Sequence, residues 1–272
     1  SRACPRAMSR LEQAIGAIHE LDELAMRRTL LNRLHPVAKL VATLTFLVTV
    51  LSFPKYALSG VLGMGVYPLF CYQLADLPLI KVVQRFKNIA ILLLTLGLAN
   101  VYFDTAPLLQ LAGISLSGGW ISLVVLLFKG LWSFLAVYLL IATTGMEQIC
   151  YALQCLHLPR VLIVTLLLTY RYLILLLKEG SRISAAYALR APDSRGIAYQ
   201  AWGTLLGQLL LRSIDRAQLV YESMALRGFD GTFQLSGRAG VGRSSLLFAV
   251  LSVLVCLLLR VFPVFELLGS LL

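Results

Sequence analysis

The chain has 272 residues, of which 59% are hydrophobic and only 14% are charged. Its mean hydropathy of +0.83 excludes an ordinary soluble domain and indicates an integral membrane protein. The net charge of +11 would also suit a nucleic-acid-binding protein, but the basic residues lie between long apolar segments and not in one patch. That distribution is typical of the cytoplasmic loops of a membrane protein, so no nucleic-acid partner is expected.

The amino-terminal residues 1–35 are polar, and within them residues 14–34 alternate apolar and charged positions at helical spacing. This pattern favours an amphipathic helix that lies in the membrane interface and does not cross it. The first span is predicted over residues 36–53, with Lys39 extending toward the lipid headgroups. A second span is predicted over residues 56–74. Three glycines in it permit close helix contact, namely Gly60, Gly63 and Gly65.

Three further spans complete a predicted bundle of five. Residues 76–87 are basic and are predicted to form an inside loop before a third span over residues 88–103. Residues 104–119 contain no lysine or arginine, as is typical of an external loop, and a fourth span follows over residues 120–144. The last span is predicted over residues 244–262, so an inside amino terminus places the carboxyl terminus outside.

Lys129 interrupts the fourth span near its middle. Insertion of a lysine at that depth costs about 2.5 to 3.5 kcal/mol, which makes it a candidate for function. The alternative is a lysine that faces a subunit interface or a thinned bilayer, and this second explanation is preferred.

Residues 145–243 hold eleven Lys and Arg against six Asp and Glu, so they are assigned to the inside. Two long helices are predicted here, over residues 159–191 and 198–227. In the second, Gly203 and Gly207 are four residues apart and would permit close crossing of another helix. The cations of the first fall within about 40° on a helical wheel and form one stripe. They are Arg160, Arg171, Lys178 and Arg182.

Both long helices end on the same pattern, Ala-Leu-Arg followed by a small residue. Arg190 and Arg227 are therefore predicted in last helical turns, where the carbonyl dipole favours a cation by roughly 0.3 to 1 kcal/mol. Pro192 biases Ala191 out of the helical region, and Gly228 is expected to close its helix in a left-handed conformation. The arginines could be capping charges alone. Their repetition in a chain with few charges indicates a pair of docking contacts instead.

Motifs for catalysis or cofactor binding are not evident in the sequence. It contains no Walker A loop, no H-E-x-x-H and no C-x-x-C. A metal site from Cys150, Cys155 and His157 is conceivable, but the spacing fits no standard zinc pattern. The glycine-rich residues 237–243 are interpreted as a juxtamembrane linker, because they follow no strand.

The sequence resembles the transmembrane T component of energy-coupling factor transporters, in particular the cobalt-type Q subunit. Residues 21–25 and 34–40 match the family's amino-terminal pattern, and Tyr170-Arg171-Tyr172 with Glu179 matches its coupling region. The second helix ending, at residues 225–228, matches the family's Ala-Arg-Gly signature with arginine and glycine in place. The first ending keeps the arginine but has alanine where the family has glycine.

The spans and helices predicted above make the chain an all-α integral membrane protein with about five transmembrane helices and a cytoplasmic coupling domain of long amphipathic helices ending in arginine motifs. The predicted division is an interfacial segment (1–35), spans one to four (36–144), the coupling domain (145–243), and the last span with a tail (244–272). The residues assigned to ATPase coupling are Arg190, Ala191, Ala225, Arg227 and Gly228.

The resemblance also implies the partners and the location. Two ATP-binding-cassette ATPase subunits would bind ATP and magnesium, so this chain is expected to be non-catalytic and to hold no cofactor or metal. A separate substrate-binding membrane subunit would capture a divalent ion, cobalt or nickel, beside a small accessory membrane protein. The location implied is the bacterial inner membrane, with the amino terminus in the cytoplasm.

Three alternatives remain open from the sequence. One is a T component for a vitamin transporter. Another is a membrane-embedded enzyme that uses Lys129 or the Cys150 and His157 neighbourhood. The third is a self-sufficient secondary carrier, although the two halves of the chain show no matched broken helices or inverted repeat.

Overall fold

A computed structural model describes residues 4–27, 29, 31–32, 34–103, 107–111, 114–191, 197–231, 233 and 242–261. Within these residues the fold is helical apart from one short antiparallel hairpin. The helices are α1 (Cys4–Met26), α2 (Pro36–Leu51), α3 (Leu58–Met64), α4 (Val66–Leu74), α5 (Leu79–Phe103), α6 (Gly118–Thr144), α7 (Met146–Cys155), α8 (Arg160–Arg190), α9 (Tyr199–Leu226) and α10 (Arg243–Val261). The hairpin strands are β1 (Pro107–Leu111) and β2 (Ile114–Ser117). The predicted all-α membrane fold class is confirmed.

Helices of membrane-spanning length are present in the described part of the chain. Four segments are long and apolar enough to cross a bilayer: Val82–Val101, Gly118–Thr144, Arg160–Arg190 and Arg243–Arg260. Two shorter apolar helical segments, Pro36–Leu51 and Leu58–Leu74, accompany them. Of these six, only Arg160–Arg190 lies outside the five spans predicted from the sequence.

The helices form two compact units. The first comprises Ser1–Leu24 and Cys150–Ser236, and the second comprises Ala25–Ile149 and Gly237–Leu272. The domain boundaries inferred from the sequence stay a prediction, because they divide the chain by membrane location and not by compactness.

The second unit is built around α6, which packs against α2, α3, α4 and α5. Its fully buried core residues come from several of these helices, and their burial removes them from lipid as well as from water. They include Phe46, Val61, Met64, Tyr72 and Leu135. Outward faces of α5 and α10 carry exposed leucines such as Leu92 and Leu247, as expected for helices that face lipid.

The second predicted span is interrupted at Gly65, between α3 and α4. A Cβ atom at this position would overlap the indole ring of Trp132 on α6. The prediction that Gly65 permits close helix contact is therefore confirmed. Gly60 similarly lies against the ring of Phe53, and Gly63 is buried.

The predicted loop over residues 76–87 is wrong, because α5 begins at Leu79 and includes the basic residues of that segment. Val82 and Phe86, four residues apart, are both buried and hold this first part of the helix in the core. Arg85 lies over the Tyr138 ring, 5.8 Å from the guanidinium carbon to the ring centroid. Apolar residues at helical spacing thus outweigh the charges that suggested a loop.

The predicted extension of Lys39 to the headgroups is also wrong. Lys39 is buried, and its Nζ donates a hydrogen bond to the carbonyl oxygen of Thr143 at 2.9 Å. Thr143 lies at the end of α6, where the last carbonyls have no partner within the helix. A cation there satisfies a carbonyl and also interacts favourably with the helix dipole.

The amino-terminal helix differs in extent from the prediction. It begins before residue 14 and ends at Met26, well short of residue 34. The Asn32 side-chain amide donates to the carbonyl oxygens of Arg27 and Ala25, at 2.6 and 3.4 Å. Asn32 therefore donates hydrogen bonds to carbonyl oxygens at the end of α1 and holds the turn that leads to the first predicted span.

We predict that Gly65→Ala destabilises the second unit. The added methyl group must displace the Trp132 ring, and overpacking of this kind typically costs about 1 to 3 kcal/mol. Gly16→Ala in α1 is the matched control, because a Cβ atom there meets nothing within 4 Å. Thermal unfolding in detergent should show a lower midpoint for Gly65→Ala only. Equal midpoints for the two variants would contradict the packing described.

Candidate functional site

The two long helices predicted from the sequence are confirmed as α8 and α9 of the first unit. The Tyr187 hydroxyl near the end of α8 accepts a hydrogen bond from the backbone N–H of Ala198, just before α9, at 3.3 Å. This contact ties together the two ends of the connection between the helices.

The cationic stripe predicted on α8 is confirmed as solvent-accessible. Its four members are all exposed, namely Arg160, Arg171, Lys178 and Arg182. The same helix buries Ile163 and Ile183, both at positions away from the stripe.

The two helices are joined by an ion pair. Arg212 on α9 donates through Nη1 to Oε1 of Glu179 on α8, and Arg182 Nη1 lies 3.8 Å from Glu179 Oε2. Glu179 is the acidic residue of α8, and it is therefore shared by two guanidinium groups. Because exposed ion pairs contribute little free energy, this carboxylate marks where α8 and α9 meet and adds little to the stability of the fold.

A Cβ atom at Gly203 or Gly207 would meet nothing within 4 Å, so no helix of the described chain crosses α9 closely there. That these glycines permit a close crossing by another helix stays a prediction. The helices meet at Glu179 and Arg212 instead, where the interaction is electrostatic and needs long side chains and not small ones.

A second polar contact joins α1 to α8 within the first unit. The Tyr170 hydroxyl donates to Oδ1 of Asp22 at 2.7 Å. Asp22 and Tyr170 both belong to the motifs that carried the family resemblance, and the structure gives them a shared positional role.

A groove of about 680 Å³ lies between α8 and α9 on the far side of the Glu179 and Arg212 pair from their connection. Its walls are mostly apolar, and the short segment after α9 contributes Phe229. Its aliphatic lining includes Val164, Leu168, Leu175, Leu176 and Val220. An apolar groove with a charged end is suited to contact with another protein or with lipid.

Arg190 is the last residue of α8 and is exposed. Ala191 follows in a non-helical conformation, with φ −130° and ψ 67°, and its N–H donates to the carbonyl oxygen of Tyr187 at 3.0 Å. The predicted departure of Ala191 from the helix before Pro192 is confirmed, although Pro192 itself lies outside the described residues.

Arg227, also exposed, caps α9, and Gly228 follows with φ +74°. The N–H groups of Gly228 and Phe229 donate to the carbonyl oxygens of Ala225 and Met224, each at 3.0 Å. This pair of bonds is the Schellman motif, which requires a left-handed residue where Gly228 stands. The predicted closure of the helix by Gly228 is confirmed, and it fixes the direction in which the chain leaves Arg227.

Arg190 and Arg227 stand at the ends of two different helices, and no contact within the described part of the chain joins one arginine to the other. Among the described residues, no carboxylate forms an ion pair with Arg190 or Arg227. Both guanidinium groups are thus available to a partner, while Arg212 is already engaged.

Each arginine is preceded by a highly exposed leucine, which sequence reasoning missed. Leu189 is 84% exposed and Leu226 is 90% exposed. The repeated Ala-Leu-Arg pattern contains the signal, because it repeats the leucine as well as the arginine. An exposed leucine beside an exposed arginine provides both an apolar and a charged contact for a partner.

No metal site emerges in the part of the chain that the structure describes, where no three His, Cys, Asp or Glu residues group together. Cys150 is buried, whereas Cys155 and His157 are exposed, so the three residues considered above do not form one site.

The chain is similar to a family of transport proteins and to individual members of known function. The sequence matches the family of cobalt transport proteins, CbiQ, over residues 27–236. It is 30% identical over 153 residues to the cobalt transport protein CbiQ of Salmonella typhimurium (strain LT2), an alignment that covers 52% of this chain and 68% of that protein. It is 33% identical over 91 residues to the nickel permease LarQ of Lactiplantibacillus plantarum, covering 34% of this chain and only 33% of the permease.

We predict that Gly228→Ala loosens the end of α9. Alanine pays about 1 to 2 kcal/mol in the left-handed conformation, so the amides of residues 228 and 229 should exchange with deuterium about ten-fold faster. Gly203→Ala is the matched control in the same helix, because both positions are open but Gly203 has ordinary helical geometry. Alanine there should be neutral or stabilising. Unchanged exchange in Gly228→Ala would show that the cap does not depend on glycine.

Proposed function

Because this chain belongs to the CbiQ family of cobalt transport proteins, we propose that it is the energy-coupling subunit of an energy-coupling factor importer. In this proposal α8 and α9 carry the motions of two ATPase subunits to a separate substrate-binding membrane subunit. The observation that carries the proposal is the pair of exposed Leu-Arg helix ends without a carboxylate partner in the described chain.

Family membership confirms the resemblance drawn from the sequence motifs. The chain is a multi-pass membrane protein and a non-catalytic T component of cobalt or nickel transport. The alternative of a membrane-embedded enzyme is therefore wrong.

The chemistry of the helix ends supports a role in docking. A guanidinium is permanently charged and planar, so it can bind a carboxylate and neighbouring carbonyls in a partner groove with fixed geometry. Arg190 and Arg227 stand at the ends of two different helices, which suits one contact on each of two ATPase subunits. ATP and magnesium would be held by those subunits, since this sequence has no phosphate-binding loop.

Transmission of motion requires that the two helices keep their relative position. The ion pair of Glu179 with Arg212 links α8 to α9, and Asp22 bound to Tyr170 links α8 to α1. A push at either helix end would then move this set of helices together. The groove between α8 and α9 and the exposed leucines of α9 offer apolar surface to the membrane partners.

We assign the transported ion to the substrate-binding subunit. A transition-metal site needs converging imidazole, thiolate or carboxylate groups. The segments 36–74, 79–103, 118–144 and 243–261 contain no His, Asp or Glu, and two cysteines are their only strong ligands. The names of the two relatives, a cobalt transport protein and a nickel permease, favour cobalt or nickel over a vitamin as the substrate.

We place α8 on the cytoplasmic face although its hydropathy would allow it to span. Its cations run from Arg160 to Arg190, and a span through its apolar first half would still place Arg171 within the bilayer at a cost of about 2.5 to 3.5 kcal/mol. The orientation proposed has the amino terminus in the cytoplasm of a bacterial cell, with the chain in the inner membrane and the external side at residues 104–119.

We predict that Arg227→Glu and Arg190→Glu each abolish ATP-driven uptake of cobalt or nickel. Loss of one partner from a desolvated charge pair costs about 2 to 5 kcal/mol, and the reversed charge adds repulsion. Recovery of the ATPase subunits in pull-downs should fall, while the amount of chain in the membrane stays normal. Uptake and pull-down are measured on the complete transporter.

Arg216→Glu is the matched control for both variants. Arg216 is an exposed arginine in the middle of α9, with the same charge but no place at a helix end. It should reduce uptake less than either end variant. Full uptake and normal ATPase recovery in both end variants would show that Arg190 and Arg227 are helix caps only.

We predict opposite sides of the membrane for Ser117 and Ser194. After replacement of Cys4 and Cys155 by serine, a cysteine at position 117 should react with an impermeant thiol reagent on intact cells. A cysteine at position 194 should react only after permeabilisation. If α8 crossed the bilayer, position 194 would be labelled from outside, and that result would overturn the assignment of α8.

A further inference from the structure

Two cations of the second unit converge on the end of α2. The Nζ atom of Lys129 donates to the carbonyl oxygen of Phe53 at 2.6 Å. The Nη2 atom of Arg260 donates to the carbonyl oxygen of Ser52 at 3.2 Å, and its guanidinium carbon lies 4.4 Å from the centroid of the Phe53 ring. Residues 52 and 53 directly follow α2, so the side chains of Lys129 and Arg260 lie at the carboxyl-terminal end of this helix.

Counted over the described residues, these contacts leave the site with an excess of positive charge. The carboxyl-terminal end of a helix provides roughly half a negative charge, against two full positive charges here. The sequences of α2, α3, α4, α5, α6 and α10 contain no aspartate or glutamate. Asp104 and Glu266, the carboxylates that follow α5 and α10 in the sequence, lie outside the described residues. An anion from outside the described part of the chain would balance the charge.

An apolar groove of about 600 Å³ runs between α2 and α10. Its lining is aliphatic, and it has a volume within the range of roughly 300 to 1,000 Å³ typical of ligand sites. The lining residues are Val41, Ala249, Val250, Val253, Leu254, Leu257 and Leu258. Arg260 lies three residues beyond Leu257, on the next turn of the same helix face. The groove therefore leads to the cationic site.

We propose that this groove and the cations at its end bind one anionic phospholipid. The phosphate would accept hydrogen bonds from Arg260 and Lys129, whose remaining N–H groups are donors of the right charge. One acyl chain would fill the aliphatic groove. Anionic phospholipids join a negatively charged headgroup to apolar acyl chains. In this site the two cations lie at one end of the aliphatic groove, in the same arrangement.

The groove walls favour an acyl chain over a helix of a partner subunit. Helices in membranes approach closely through small residues. Here Val250, Leu254 and Leu257 line the groove and are 58%, 51% and 53% exposed, so large side chains hold a second backbone away. A flexible acyl chain follows such a surface without a need for small residues.

The proposal is tested by lipid titration of the full chain in detergent, with bound lipid counted by native mass spectrometry. The probes are phosphatidylglycerol and phosphatidylcholine with identical acyl chains. Phosphatidylglycerol should bind at one saturable site and phosphatidylcholine should not. Arg260→Gln should weaken phosphatidylglycerol binding by about five-fold. The double variant that combines Arg260→Gln with Lys129→Gln should weaken it by roughly twenty-five-fold. Arg243→Gln, at the other end of α10, is the matched control and should bind normally.

Two further variants separate the site from general effects on folding. Arg260→Lys keeps the charge and should retain most of the binding. Val250→Trp fills the groove and leaves the cations in place, so it should weaken binding of phosphatidylglycerol but not change the elution profile of the chain. Equal binding of the two lipids, equal loss in Arg260→Gln and Arg243→Gln, or a copurifying polypeptide that occupies the groove would overturn the proposal.

Discussion

A carbonyl oxygen at the end of a helix inside a bilayer needs a donor, because neither lipid nor the helix itself supplies one. This constraint decides where the cations of the second unit lie. Lys39 donates to the end of α6, and Lys129 and Arg260 donate to the end of α2. Each cation thus joins two helices while it satisfies a carbonyl. Packing around α6 and the position of α2 both depend on these contacts.

The same attraction between a cation and a helix end has a different meaning at α8 and α9. Arg190 and Arg227 also stand at carboxyl-terminal ends, yet they are exposed and keep their guanidinium groups away from described carboxylates. In water the dipole holds such a charge only weakly, so the arginine can exchange the helix end for a partner. Burial therefore separates cations that hold the protein together from cations suited to holding another protein.

Local pattern accounts for the parts of the site that were predicted. The extents of α8 and α9, the exposed stripe on α8, the departure of Ala191 and the left-handed Gly228 all depend on residues within a few positions of each other. Local pattern also explains one failure. The charges of residues 76–87 suggested a loop, but two buried residues one turn apart, Val82 and Phe86, keep the segment helical.

The sequence by itself determined the fold class, the two long helices and their arginine ends, because periodicity and capping act over one or two turns. Only the tertiary structure decided which partner each charge has. Lys39 contacts Thr143, Lys129 contacts Phe53 and Glu179 contacts Arg212. The sequence separations of these pairs are 104, 76 and 33 positions, respectively. No local signal encodes such a pairing, since it depends on which helix ends the packed bundle brings within reach of a long side chain.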